Sequence, residues 1–446
     1  MLFYMIQIFN ILVIAIIILT FYKPKLGILA MLACYILLPE IPFGFLGGSL
    51  KKNHFLMLVL MVFFLRFIIK DKLKIDTSPY RFCFVYFFLS FLCIPLKFET
   101  AYSIQLYYII YDIAIILLFP LAIWNVVDDD NTLALYRKVV LVCISVACLY
   151  GLFLTTTGGI NPLIILFSSF GGGGLDEEQW TRYFTDEGRL FGRISSVFFH
   201  PMSYASFLGF SALYVGYIRT KISKSLFAFL IGIIMINFII CGVRSVLGAF
   251  LATMFVYVLL RKNIGLTIRI VVLCMLGVVV LSAIPPVYDY ISSIFVKSGS
   301  DVGGSSLEMR LDQLVGAFDE IQNNVFLGKG YGWSRDYIIQ NENHPVLLGF
   351  ESIVFVVLCN NGLVGILLYG LFVYLYFHYI KNNVQESDVP IFLSLIVFYL
   401  AYETITGEFA FQHFMLFYTF FLIEYREKML SQQEPSVEEA TDRENS

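Results

Sequence analysis

About thirteen stretches of nearly unbroken apolar sequence, each close to the length of a membrane-crossing helix, decide what this chain can become. They occupy residues 2–22, 26–46, 54–70, 81–97, 104–125, 138–157, 200–218, 224–241, 245–260, 265–284, 350–380, 389–405 and 409–425. A helix of about 20 residues spans the hydrocarbon core, and only helices and closed barrels satisfy every backbone polar group there. The first two runs abut and the run at 350–380 is long, so counts of twelve to fourteen fit the same pattern. Composition agrees. The chain is 59% hydrophobic and 14% charged, against about 25% charged in a soluble domain, and its mean hydropathy is +0.80. The expected fold class is therefore all-α, a polytopic transmembrane helix bundle.

Other composition signals narrow the function. A net charge of −3 points to no polyanionic partner, so no nucleic acid is expected. The 8 cysteines form no C-x-x-C pair, and Cys83, Cys93, Cys143, Cys148 and Cys274 sit inside apolar runs. They read as small buried apolar residues rather than zinc ligands or a disulfide framework. The start of the chain lacks a basic n-region and a small-residue cleavage site, so residues 2–22 are expected to be a retained span.

Basic residues orient the bundle. Lys23, Lys25, Lys70, Lys72, Lys74, Arg81, Arg137, Lys138, Arg219, Lys221, Lys224, Arg261, Lys262, Arg269, Lys381, Arg426 and Lys428 fall on one set of alternate connections. The opposite short connections hold only Lys51, Lys52, Lys97 and Arg244. The rich side is expected to be cytoplasmic. The chain then divides into N-terminal spans (1–157), a first external loop (158–199), central spans (200–284), a second external loop (285–348), C-terminal spans (349–425) and an acidic, disordered cytoplasmic tail (426–446). Transporters keep connections short and charges at mid-bilayer. Here the polar residues collect in two long external loops, which points to chemistry at the outer membrane–water boundary.

Within the first loop, Gly171–Gly174 reads as a linker, because no Lys-Ser/Thr follows it as in a phosphate cradle. Arg189 and Arg193 stand four apart just before a span. They suit either snorkelling to lipid phosphate or a bidentate grip on a ligand's phosphate. Arg244 lies in the tight turn Cys241-Gly242-Val243-Arg244-Ser245, where an inward side chain needs an anionic partner. The second loop holds Arg310 near the start of a helical apolar pattern. It then holds Gly328, Gly330 and Gly332 at alternate positions, which permit a plain turn or close backbone approach to a ligand. His344 and Glu351 stand at the mouth of the next span, each able to accept a proton or to serve as a hydrogen-bonded structural group. Glu40, Glu403 and Glu408 also lie near external span ends, with His413 beyond them. Asp112 is the clearest mid-span carboxylate.

In order and placement these motifs resemble the O-antigen ligase and polymerase family, whose polymerase members are called Wzy-type. The matching residues are Gly192-Arg193 through Pro201, Arg244-Ser245, Arg310, the turn Asn324–Gly332, and Gly362-Leu363-Val364-Gly365. They cover roughly residues 185–380. The chain departs from the pattern at Asn324-Val325, where the family usually has Pro, and at Met202-Ser203, where it usually has Asn directly after the Pro.

The resemblance implies the architecture of the C-type glycosyltransferases, an inner-membrane location and metal-independent catalysis with no cofactor. It implies transfer of an oligosaccharide from undecaprenyl pyrophosphate to an acceptor repeat unit in O-antigen, capsule or exopolysaccharide synthesis, among membrane lipids and beside a flippase and a chain-length regulator. Arg189, Arg193, Arg244 and Arg310 would grip the pyrophosphate, the glycines would form a substrate loop, and Glu351 or His344 would accept the hydroxyl proton. An O-antigen ligase or protein O-oligosaccharyltransferase is the alternative within this reaction class. A lipid-linked sugar flippase is the alternative outside it, with Asp112 as its support.

Overall fold

The computed structural model describes residues 2–39, 52–71, 75–96, 99–158, 160–170, 194–261, 265, 307–341 and 344–433. Among them every regular element is helical, and pairing of strand type is limited to a single bridge between His344 and Leu348. The helices are α1 (Leu2–Tyr22), α2 (Pro24–Leu37), α3 (Lys52–Arg66), α4 (Arg81–Cys93), α5 (Tyr102–Asp112), α6 (Phe119–Val126), α7 (Asp130–Thr156), α8 (Pro162–Phe170), α9 (Pro201–Tyr217), α10 (Lys224–Ile240), α11 (Arg244–Leu260), α12 (Leu307–Glu320), α13 (Trp333–Asn341), α14 (Ile353–Asn383), α15 (Val389–Thr406) and α16 (Phe411–Gln433). The protein is an all-α polytopic bundle.

Six stretches among the described residues are long and apolar enough to cross a membrane: Lys52–Ile69, Ser78–Leu96, Tyr102–Val126, Asp130–Thr156, Ile353–Asn383 and Val389–Thr406. Four shorter apolar helices accompany them, at Gln7–Tyr22, Pro24–Leu37, Lys224–Ile240 and Arg244–Leu260. The apolar run at 265–284 lies outside the described residues apart from Gly265. Both long connections hold helices. The first contains α8, and the second contains α12 and α13.

The faces of α7 show how apolar sequence is divided between protein and lipid. Val140, Ile144, Ala147, Cys148 and Leu154 are buried against the bundle, while Val142, Val146, Leu149 and Phe153 are exposed on the opposite face. These two sets repeat at helical spacing, so one stripe serves the core and the other is left for hydrocarbon. Aromatic rings fill the centre. Phe414 and Tyr418 of α16 pack with Tyr376 of α14, and Phe414 also meets Tyr399 of α15.

Charge separates the two ends. At one, Arg137 forks onto Glu424 (2.8 and 2.7 Å) and also meets Glu427, Lys221 joins the same two carboxylates, Lys428 pairs with Asp388 (2.7 Å), and Lys25 meets Asp128 and Asp129. This is the end the basic-residue count singles out. The other end carries the long connections and is called the loop end below.

Two glycines at the loop end adopt conformations that only glycine tolerates. Gly362 breaks α14 with φ 60° and ψ −156°, and Gly407 ends α15 with φ 84° and ψ −160°. At the first break Leu363 N–H and Val364 N–H donate to the carbonyls of Val325 and Phe326 (2.9 and 3.0 Å). In return Lys329 N–H and Gly330 N–H donate to the carbonyls of Cys359 and Asn360 (2.8 and 2.9 Å). The break thus exposes the backbone of a membrane helix, and the second connection takes up its hydrogen bonds.

Gly362→Ala places a Cβ 2.5 Å from the Phe326 carbonyl in this glycine-only conformation. It is expected to cost about 2 kcal/mol or more, read as a lowered melting temperature in detergent. Gly370→Ala, in the same helix with no atom within 4 Å of its added Cβ, should leave the melting temperature unchanged or raise it.

Candidate active site

The loop end is assembled around one arginine. Arg335 of α13 lies between two carboxylates from distant parts of the chain. Its Nη1 donates to Asp112 Oδ1 (2.8 Å), while Nε and Nη2 fork onto Glu408 (3.0 and 2.6 Å). Asp112 is the last residue of α5, about 15 Å along that helix from Tyr102 at 1.5 Å per residue. Glu408 lies in the turn between α15 and α16. Tyr331 completes the cluster by donating its hydroxyl to Asp112 Oδ2 (2.8 Å), and the guanidinium stands over the Tyr108 ring at 5.6 Å. Burial opposes the charge on Arg335, but Asp112 and Glu408 outweigh it and hold the guanidinium protonated well beyond the ordinary arginine range. Burial, reinforced by Asp112, keeps the Tyr331 phenol protonated and hence a donor.

An open cleft of about 500 Å³ leads to this cluster. Tyr107, Tyr108 and Tyr111 of α5 line it, with Asn53, Gln412, Phe409 and Phe411, and Arg335, Asp112 and Glu408 stand among its lining groups. Ile115 and Ile116 come from a π-helical segment, Ile113–Leu118, that begins directly after Asp112. Such widened turns re-aim side chains and recur at functional sites. A narrower cavity continues past the same three charged residues toward Tyr86, Tyr331, Asn360 and Tyr369.

The turn at Gly407 holds the rim. Its Cα packs so closely on the Phe350 carbonyl that an added Cβ would lie 2.5 Å away. Glu403 accepts the backbone N–H groups of Phe409 (2.9 Å) and Ala410, fixing the segment that carries Glu408. The Phe409 ring stacks on His200 with centroids 4.8 Å apart. His200 caps α9 by accepting from Met202 N–H (3.2 Å), so the described end of the first long connection reaches the cleft. Ser195 and Ser196 are pinned beneath it. Asn161 donates to Ser195 Oγ (3.2 Å) and to the Ser196 carbonyl (2.6 Å), and Ser196 Oγ donates to the Ala147 carbonyl (2.5 Å).

Of the residues singled out in the sequence, Asp112 and Glu408 line this cleft and Gly332 lines the narrower cavity, whereas Arg310, His344 and Glu351 do not. Arg189 and Arg193 lie outside the described residues. Arg244 opens the first turn of α11, after the positive-φ Gly242, and α11 packs along α15. Arg310 is a clamp. It donates to the carbonyls of Glu351 and Ile405 (2.7 Å for Ile405), approaches Glu351 Oε2 at 3.1 Å, and contacts Gln313 (3.3 Å). It thereby ties α12 to the end of α15 and the start of α14. Burial draws its proton affinity down, against the pull of Glu351.

His344 differs from the expected proton acceptor in a specific way. Its Nδ1 already accepts from Val346 N–H (3.2 Å) and Leu347 N–H (2.9 Å), so Nε2 carries the hydrogen and donates it to Glu320 (2.9 Å). Both ring nitrogens are engaged. Neither His344 nor Glu351 is among the described residues lining the cleft.

Gly328, Gly330 and Gly332 each approach protein closely, and Gly332 also lines the narrower cavity. Their added Cβ atoms would meet the Gly362 amide nitrogen (2.6 Å), Thr100 (2.7 Å) and the Tyr108 ring (2.3 Å). These glycines let the turn wedge between the break in α14 and the start of α5.

Arg335 is the residue that sequence reasoning passed over. Its signal was indirect: a carboxylate inside a span, such as Asp112, requires a cationic partner, and the second connection supplies Ser334-Arg335-Asp336.

With this geometry in hand, comparison with known families finds a match to the model described as O-antigen ligase over residues 227–370. The match supports the O-antigen ligase and polymerase family and indicates glycosyltransferase-like work in cell-surface polysaccharide synthesis, on lipid-linked oligosaccharide in a multi-pass membrane protein. The matched segment supplies Arg244, Arg310, Arg335, His344 and Glu351, whereas Asp112 and Glu408 come from outside it. No curated protein matches the chain.

Arg335→Met leaves two largely buried carboxylates facing each other and is expected to cost about 3–5 kcal/mol. The double variant Arg335→Met/Asp112→Asn should recover part of that loss, measured by thermal unfolding in detergent as a double-mutant cycle. The second ion cluster makes a pH prediction. Burial raises the Glu320 carboxyl, but the bonds from Lys329 (2.6 Å) and His344 outweigh it and hold the group below its usual value of 4.5. Its stabilisation is complete above that pH and is lost as pH falls through the lowered folded value. Glu320→Gln should flatten this acid-side limb in a melting-temperature series.

Proposed function

We propose that the protein transfers a glycan from a polyprenyl-pyrophosphate carrier to a sugar hydroxyl of an acceptor repeat unit, at the outer face of the cytoplasmic membrane, in O-antigen, capsule or exopolysaccharide synthesis. One observation carries the reading. The family-matched segment, the N-terminal spans and the turn between α15 and α16 jointly line an open cleft at the loop end, walled by tyrosines and ending in charged groups. Tyrosine faces suit the C–H faces of sugars, and their hydroxyls suit sugar hydroxyls.

The reaction breaks the bond between the donor sugar's anomeric carbon and the pyrophosphate oxygen. Charge develops on that oxygen, so cations at headgroup level lower the barrier. Arg189, Arg193 and Arg244 are proposed for this task. Arg244 has the added support of its position in the first turn of α11, where the helix dipole and free N–H groups favour anions. Arg310 already holds Glu351 and two carbonyls, and in this reading it keeps the second connection seated over the cleft.

The test is reconstitution. Purified protein in lipid nanodiscs, supplied with lipid-linked repeat units, is expected to produce a ladder of elongated glycans on gels. Transfer confined to a lipid A-core acceptor would replace polymerase with ligase. Absence of transfer to either acceptor, with intact donor, would overturn the reading.

A further inference from the structure

We infer that the tyrosine-lined cleft is the acceptor-sugar subsite and that Glu408 is the carboxylate that takes the proton from the attacking hydroxyl. This rests on the glycan-transfer reading above and assigns a substrate to one place within it.

The charge balance decides between the two ligands that a glycan transferase must hold. The lipid pyrophosphate is a polyanion. Among the described residues that line it, the end of the cleft offers one cation, Arg335, already shared between two carboxylates. An anion placed there would meet more negative than positive charge. A neutral sugar meets what it needs: Tyr107, Tyr108 and Tyr111 of α5, the amides of Asn53 and Gln412, and carboxylate oxygens able to accept from hydroxyls. Asp112 has both oxygens bonded, one to Arg335 and one to Tyr331, and its side chain is only 4% exposed. Glu408 is 22% exposed and, among the described residues, is bonded by Arg335, which leaves each of its oxygens a second lone pair.

The surroundings of Glu408 also suit proton transfer. Around it stand Arg335 from α13, Asp112 from α5, Glu403 from α15, Tyr86 from α4, Tyr369 from α14 and Tyr331 from the glycine turn. Burial raises its proton affinity most, Arg335 works against that, Asp112 adds to it, and the net shift is upward from 4.5. A carboxylate so raised binds a proton better than an exposed one, which suits a general base.

In the step, a lone pair of the acceptor hydroxyl oxygen forms the bond to the donor's anomeric carbon. The bond from that carbon to the pyrophosphate oxygen breaks and its electron pair leaves with the lipid pyrophosphate. The hydroxyl proton passes to Glu408, and Arg335 keeps the carboxylate aimed into the cleft.

The experiment compares wild type, Glu408→Gln, Glu408→Asp and Tyr107→Ala in the reconstituted assay, varying acceptor concentration and pH. Glu408→Gln is expected to lower kcat about 100-fold or more with acceptor KM within about threefold, and to abolish the fall in rate on the acid side. That fall reports loss of the base form as pH drops through the raised value. Glu408→Asp, which restores the charge, should recover part of the rate. Tyr107→Ala should raise acceptor KM while leaving kcat and donor KM unchanged. Retention of wild-type kcat and acid limb by Glu408→Gln would overturn the base assignment. A Tyr107→Ala effect on donor KM alone would overturn the subsite. If wild type itself transfers nothing, the functional reading falls first and this inference with it. If Glu408→Gln fails to insert, the acid limb of Glu408→Asp decides: a limb shifted from wild type supports the base, and an unchanged one overturns it.

Discussion

The ion cluster of Arg335 with Asp112 and Glu408 is the interaction on which the loop end depends. Three segments far apart in sequence meet there, and none could hold its charge in that position alone. A carboxylate inside a span is costly without a partner, and an arginine largely withdrawn from water is equally so. Each is tolerated because the others are present. The long second connection is therefore seated on the bundle by a requirement of the bundle itself, and the cleft acquires its polar end from the same contacts.

Around that cluster the backbone does the remaining work. The break at Gly362 frees amides and carbonyls that a continuous helix would have consumed, and the turn from Val325 to Gly330 uses them. Arg310 closes the opposite side by capping the Ile405 carbonyl and holding Glu351. Glu403 and Gly407 shape the turn that presents Glu408. The result is a rigid floor of membrane helices with a roof attached at several independent points, and an opening between them walled by aromatic rings.

Much of the fold was legible in the sequence. Apolar length specifies an all-helical polytopic bundle, because lipid leaves few alternatives. The motif residues at Arg310, Gly328–Gly332 and Gly362 mark a structured region, and the family match spans them. Their uses were harder to read. Alternate glycines look alike whether they face a ligand or a helix, and only coordinates show the Thr100 and Tyr108 atoms that Gly330 and Gly332 admit. His344 looks like a base until two backbone amides are found on Nδ1. Arg335 could not be paired with Asp112 from spacing, since more than two hundred residues separate them and no local period links such positions.

The joint between the glycine turn and the broken helix has an evolutionary corollary. Its four hydrogen bonds run from main chain to main chain, so they read the path of the turn and ignore most of its side chains. Phe326, at 70% exposure, can be exchanged for other residues without altering any of those bonds. Sequence drift at the solvent-facing positions of this turn is then nearly free so long as the glycines, Lys329 and Tyr331 remain, the last two being tied to Glu320 and Asp112. Val325 illustrates that latitude: it enters the joint through its carbonyl, which receives Leu363 N–H.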